Sequence, residues 1–175
     1  MDEFDVVGLS LGGAIAQYLT ATSGRVTKAV FMCTAANFGG PDTWAPRAEE
    51  TRAEGIAPRV QSAIELWVTP EFRQERPALT YALTRMIAST RGEGYAVGAD
   101  ALAGWDYTEE LRNITVPVLT ISGAVDPSTP PEVVHAIGKM VGGESQSVTL
   151  SGGGHVPTVE VPDEVTRAIL SLIHI

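Results

Sequence analysis

The sequence predicts an α/β fold built on a mostly parallel sheet, and three observations carry that expectation. Four short runs rich in Val, Ile and Leu lack strict alternation, as strands buried on both faces do. Helical segments separate most of these runs, and one long helix-patterned stretch interrupts the rhythm. The 175 residues make one domain's worth of chain, and a hydrophobic content of 44% is enough for a real core, which argues against disorder.

Taken in order, the first apolar run is Phe4–Leu9. Leu11–Thr22 follows it, Ala-rich and helical, with Ser23-Gly24 as its stop. The second run is Thr27–Cys33 and the third is Val116–Ser122, with a helix over Pro131–Val141 after it. The fourth is Ser147–Leu150, followed by a helix over Pro162–Ile173. Between the second and third runs, from about residue 37 to 114, lies the interruption, which holds all three tryptophans, Trp44, Trp67 and Trp105. Val60, Ala63, Ile64 and Trp67 recur there at helical spacing, as do Leu79, Leu83, Met86 and Ile87. This stretch is expected to be a helical lid insertion in a single domain rather than a second domain.

Composition narrows the function classes. A formal net charge of -9 repels phosphate backbones, and Lys28 and Lys139 are the only lysines, so nucleic acid is not an expected partner. Cys33 is the only cysteine, which rules out an internal disulfide, and no Cys/His spacing resembles a metal site. Met1-Asp2-Glu3 is acidic where a secretory leader is basic, and no apolar run reaches the roughly 18 residues of a membrane helix. A cytoplasmic location without membrane association is therefore expected.

The chemistry-bearing motif is Gly8-Leu9-Ser10-Leu11-Gly12, a G-x-S-x-G with a strand before it and a helix after it. Ser10 is the expected nucleophile, held on a sharp turn; Gly8 and Gly12 are read as leaving room for that turn. The helix start adds partial positive charge where an oxyanion forms, and the backbone N–H of Leu11 is the expected oxyanion donor. A serine hydroxyl needs a base to take its proton. His155 follows the last strand in Ser151-Gly152-Gly153-Gly154-His155, where the glycines let the ring swing back toward the serine. Asp126 follows the third strand and can orient the imidazole; Asp42 is the rival acid, and Asp106 lies in a polar, solvated stretch. His135, inside a helix, and His174, in the tail, read as packing or surface residues, and Cys33 as a small buried hydrophobe.

The elbow Gly-Leu-Ser-Leu-Gly-Gly-Ala, with Thr34-Ala35-Ala36, Trp44, Arg47, Trp67–Phe72, Arg85-Met86, Gly94-Tyr95, Ile114–Pro117 and Gly123-x-x-Asp126-x-x-Thr129-Pro130-Pro131, resembles the 3-oxoadipate enol-lactonases of the α/β-hydrolase superfamily. The resemblance covers essentially the whole chain. It implies an α/β-hydrolase fold, a Ser10–Asp126–His155 triad, no cofactor or metal, and hydrolysis of a small, anionic ester or lactone, the enol-lactone of 3-oxoadipate. Trp44 and Arg47 are the implied substrate contacts. Another esterase, a perhydrolase or an inactive fragment are the alternatives. The chain departs from the pattern in its three glycines before His155 and in lacking the usual Asn after it. The resemblance also implies further strands and a His-Gly oxyanion loop ahead of Phe4, so residues 1–175 are expected to form a single incomplete domain with its N-terminal strands missing.

Overall fold

The computed structural model describes residues 2–173; Met1, His174 and Ile175, and with them the reading of His174, lie outside the described residues. The chain forms two compact units, Met1–Ala36 with Tyr107–Ile175, and Asn37–Asp106. The expected insertion of about 37–114 therefore ends earlier, at Asp106. Residues 107–114 belong to the first unit because Tyr107 donates its N–H to the Ala36 carbonyl at 2.8 Å and because Leu111 and Ile114 are buried.

The first unit is a four-stranded parallel sheet in the order β1-β2-β3-β4: β1 (Phe4–Leu9), β2 (Val26–Met32), β3 (Val118–Gly123) and β4 (Ser145–Leu150). β1 and β2 match the sequence reading to within a residue or so, since β2 stops where Cys33 turns to a φ of 45°. β3 begins two residues late because Pro117 has no N–H for the ladder; its carbonyl instead takes the Ala29 N–H. β4 begins early, at the polar Ser145-Gln146, because pairing with Val118 and Leu119 recruits residues that hydropathy overlooks.

Helices cover both faces. The α1 helix (Leu11–Thr22) returns along β1 and β2. On the sheet face bearing Val30, Met32, Leu119, Ile121 and Leu150, Val165 and Leu172 of the last helix (Pro162–Ile173) close the core. The helix Pro131–Met140 packs on β3 and β4, where His135 Nε2 meets Ser122 Oγ at 3.1 Å and Thr149 Oγ1 at 3.2 Å, consistent with a packing role for His135. Burying several large aliphatic side chains at about 1.5–3 kcal/mol each is the main favourable contribution here.

The second unit is helical throughout: α2 (Pro41–Glu54), α3 (Val60–Trp67), α4 (Pro70–Glu75), α5 (Pro77–Ala88) and α6 (Gly92–Ala103). The α2 and α6 helices pack through Ala48, Ala96 and Ala99, small enough to bring the two backbones together. The two apolar stripes read from the sequence lie on α3 and α5, which pack on each other. Ile64 and Ile87 are buried, whereas Leu79 and Met86 stay exposed.

After these, the helices of the sheet unit continue the numbering: α7 (Pro131–Met140), the single turn α8 (Pro157–Glu160) and α9 (Pro162–Ile173). No helix among the described residues is long and apolar enough to cross a membrane.

Candidate active site

Three loops leave the C-terminal ends of the parallel strands, where α/β sheets bind their ligands. The first joins β1 to α1 at Ser10, whose φ of 55° and ψ of -120° lie outside the ordinary regions for an L-residue. The turn is held on all sides. Ser10 donates its N–H to Met32 O at 2.9 Å, and its carbonyl accepts from Gly13 N, Ala14 N and the Thr34 hydroxyl, the last at 2.8 Å. A Cβ on Gly8 would overlap the Gly12 carbonyl, and one on Gly13 would overlap Thr34. Nothing lies within 4 Å of a Cβ on Gly12, so the close approaches need Gly8 and Gly13, not Gly12 as expected.

The second loop follows β3 and carries Asp126, which is 3% exposed. Its Oδ1 accepts from Ser128 N at 2.8 Å and Thr129 N at 3.2 Å, and its Oδ2 accepts from the Thr129 hydroxyl at 2.7 Å. The third follows β4 and carries His155. Its Nδ1 lies 2.9 Å from Asp126 Oδ2 and its Nε2 lies 2.9 Å from Ser10 Oγ. The side chains of Ser10, His155 and Asp126 thus form one continuous hydrogen-bonded chain within the sheet unit.

The electrostatics suit that chain. Burial alone would raise the Asp126 pKa; the hydrogen bond and charge of His155, with the donors from Thr129 and Ser128, outweigh it and hold the carboxyl below its ordinary value. An ionised Asp126 fixes the proton on Nδ1 and leaves Nε2 to accept from the serine. Cys33 sits beneath this arrangement, fully buried, with Sγ 3.9 Å from Gly154 O. Burial, and then the charge of Asp126, push its pKa up to about 12, so it remains a thiol and is a poor nucleophile.

The other residues singled out in the sequence fall elsewhere. Asp42 is exposed at the start of α2 and Asp106 is exposed at the end of the helical unit; Asp126, not Asp42, meets the histidine. In the helical unit the Arg47 guanidinium lies 4.7 Å from the Trp44 ring centroid, and Trp44 donates its indole N–H to Phe38 O at 2.8 Å. Leu11 opens α1, so its N–H is among the first-turn donors that no carbonyl of the same helix takes. Among the described residues, no cluster of His, Cys, Asp and Glu could hold a metal ion.

Sequence reasoning missed Gly123. A Cβ there would overlap the carbonyl oxygens of Gly153 and Gly154, so its absence lets the Asp126 and His155 loops cross at backbone contact. It also missed the part Thr129 plays in orienting Asp126. The Asp-x-x-Thr spacing was a local signal for that, since a side-chain carboxylate readily caps donors two and three residues on.

Comparison with known proteins gives the family and the fold. The model of the alpha/beta hydrolase family matches residues 2–168. The chain is 37% identical over 123 residues to 3-oxoadipate enol-lactonase 2 of Acinetobacter baylyi, an alignment spanning 70% of this chain and 46% of that protein. The chain thus spans about half the length of the enol-lactonases it matches. Its fold superposes on the enol-lactonase from Burkholderia xenovorans LB400 with a TM-score of 0.94 at 27% identity, covering 99% of this chain and 66% of that one. It superposes on a malate-bound thermophilic esterase from Thermogutta terrifontis with a TM-score of 0.91 at 28% identity, covering 99% and 65%.

Proposed function

From the premise that the chain belongs to the alpha/beta hydrolase family, we propose that it is a serine hydrolase for a small carboxylic ester or lactone, with 3-oxoadipate enol-lactone as the foremost substrate. The observation that carries this reading is the pair of 2.9 Å hydrogen bonds linking Ser10 Oγ, His155 and Asp126. The similarity to two enol-lactonases supports the choice of substrate.

In the proposed reaction the Ser10 oxygen attacks the lactone carbonyl as its proton passes to His155 Nε2. Asp126 stabilises the imidazolium through Nδ1. The carbonyl oxygen, now negative, takes the N–H of Leu11. Collapse expels the ring oxygen as an enolate, which leaves more readily than an alkoxide and receives the proton from His155. The enol then relaxes to the ketone. Water, deprotonated by His155, attacks the acyl-serine and releases the acid and Ser10. Each proton taken by the imidazole is returned within the same half-reaction, and the cycle consumes only water.

An anionic substrate calls for a cation, and Arg47, from the stretch resembling enol-lactonases, is the proposed partner with Trp44 beside it. The malate bound to the Thermogutta terrifontis esterase is itself a carboxylate, which supports an anionic ligand. That same likeness favours a second reading, a general esterase of small acids. Turnover of a panel of lactones and p-nitrophenyl esters decides between them. The enol-lactone reading expects the carboxylate-bearing lactone to be preferred over its methyl ester, and Arg47→Ala to abolish that preference by raising KM. Equal turnover of acid and methyl ester contradicts the anionic substrate, and preference for simple esters favours the esterase.

A further inference from the structure

The Gly152-Gly153-Gly154 tract that delivers His155 is the most conformationally permissive stretch the chain could place there. Yet the ring it delivers must stay within about 0.5 Å of its working position if it is to serve the serine. Gly153 N–H donates to Leu150 O at 3.4 Å, and the peptide unit joining Gly153 to Gly154 is held at both of its polar ends. Its carbonyl accepts the Val125 N–H at 3.3 Å, from the residue just before Asp126. Its N–H donates to Glu160 Oε2 at 2.6 Å, from the end of the α8 turn. Both residues of that unit are buried, and the unit lies against the Cα of Gly123, where a side chain would not fit. One end of the peptide is thus tied to the loop of the acid and the other to the segment that follows the base.

We propose that Glu160 is a positioning residue for His155: its carboxylate fixes the orientation of the Gly153–Gly154 peptide and, through it, the distance from Nε2 to Ser10 Oγ. This inference rests on the serine-hydrolase reading above. The contact of Glu160 that matters here is its bond to the Gly154 N–H. It acts by geometry, so what matters is an acceptor oxygen at the reach of a glutamate, and not the negative charge. A glutamine keeps that reach and an acceptor oxygen, at reduced strength because the charge is gone. An aspartate keeps the charge but is one methylene short.

The test is the rate at which a fluorophosphonate labels Ser10, with kcat and KM for a p-nitrophenyl ester, in the wild type and in Glu160→Ala, Glu160→Asp and Glu160→Gln. The expected result is a fall of about ten- to a hundred-fold in labelling rate and kcat for Ala, as an ångström of misplacement costs. KM should hardly move, Gln should stay within a few-fold of the wild type, and Asp should fall below Gln. Should Glu160→Ala not fold, the order of Gln and Asp alone decides, and Asp at or above Gln overturns the proposal. So does Glu160→Ala labelling at the wild-type rate, or Gln as slow as Ala. If the wild type itself is not labelled, the serine-hydrolase reading falls first and this inference with it; a labelled wild type with unaffected variants removes only the role of Glu160.

Discussion

In the sheet unit the decisive contacts are backbone against backbone, whereas in the helical unit they run between small side chains and between exposed charges. Gly8 admits the Gly12 carbonyl and Gly123 admits those of Gly153 and Gly154. Ser10 holds its positive φ because its N–H and its carbonyl are both tied to neighbouring segments. In the helical unit, Ala48, Ala96 and Ala99 nest, the exposed Arg52 reaches Glu93 and Asp100, and the partly buried Arg59 reaches an exposed Glu50. Surface ion pairs of this kind typically contribute about 0–1 kcal/mol. The difference teaches where precision is built in: in the sheet unit glycine contacts hold the loops that carry Ser10, Asp126 and His155, whereas in the helical unit the comparable contact, Gly92 against the Thr51 carbonyl, only seats one helix on another.

The largest expected effect tests the first half of that comparison. Ser10→Ala should lower ester hydrolysis by about four orders of magnitude or more, since no acyl-enzyme can form. Retention of a substantial fraction of the rate would remove Ser10 from the chemistry. A smaller effect is expected from crowding, and here the two units should part. Gly123→Ala drives the acid and base loops apart and should cost about a hundred-fold in kcat. Ala96→Leu crowds the α2–α6 contact and should cost about 1–3 kcal/mol of stability, read by urea unfolding, with kcat nearly intact. If both substitutions reduce kcat equally, the contrast between the units is false.

The smallest effect is in acid. The Asp126 carboxyl is held below its ordinary value in the folded protein. Its contribution to stability is therefore fully present above the unfolded carboxylate value, about 3.9, and is lost as pH falls through the lower folded value. Urea midpoints measured from neutral pH down to about pH 3 should fall more steeply for the wild type than for Asp126→Asn. Parallel curves would mean that the hydrogen bonds to Asp126 do not favour its charged form.

The same contrast explains what was legible in the sequence. G-x-S-x-G between an apolar run and an Ala-rich helix announced Ser10, and the order of Asp126 and His155 after their strands announced the other two, because each motif sits where a regular element ends. Hydropathy found β1 and the long helices for the same reason. It misjudged β4, whose Ser145 and Gln146 are strand residues only by virtue of their neighbour, and it set the end of the helical stretch too late, since Leu111 and Ile114 are apolar for a core that residue spacing does not reveal. Gly123 and Thr34 were hidden because their partners are distant along the chain, and Glu160 because its bond to Gly154 N exists only once the intervening residues fold back in the α8 turn. Gly12 shows the converse: a motif glycine is not always the one that steric contact requires.

The proposed chemistry requires that His155, oriented by Asp126, make Ser10 a nucleophile. The most direct measurement is intact mass after exposure to a fluorophosphonate, comparing the wild type with His155→Ala. The expected result is one adduct on the wild type, mapped to Ser10, and labelling slowed by about a thousand-fold or more when the imidazole is gone. No adduct on the wild type, or an adduct on Ser10 forming equally fast in His155→Ala, would contradict it.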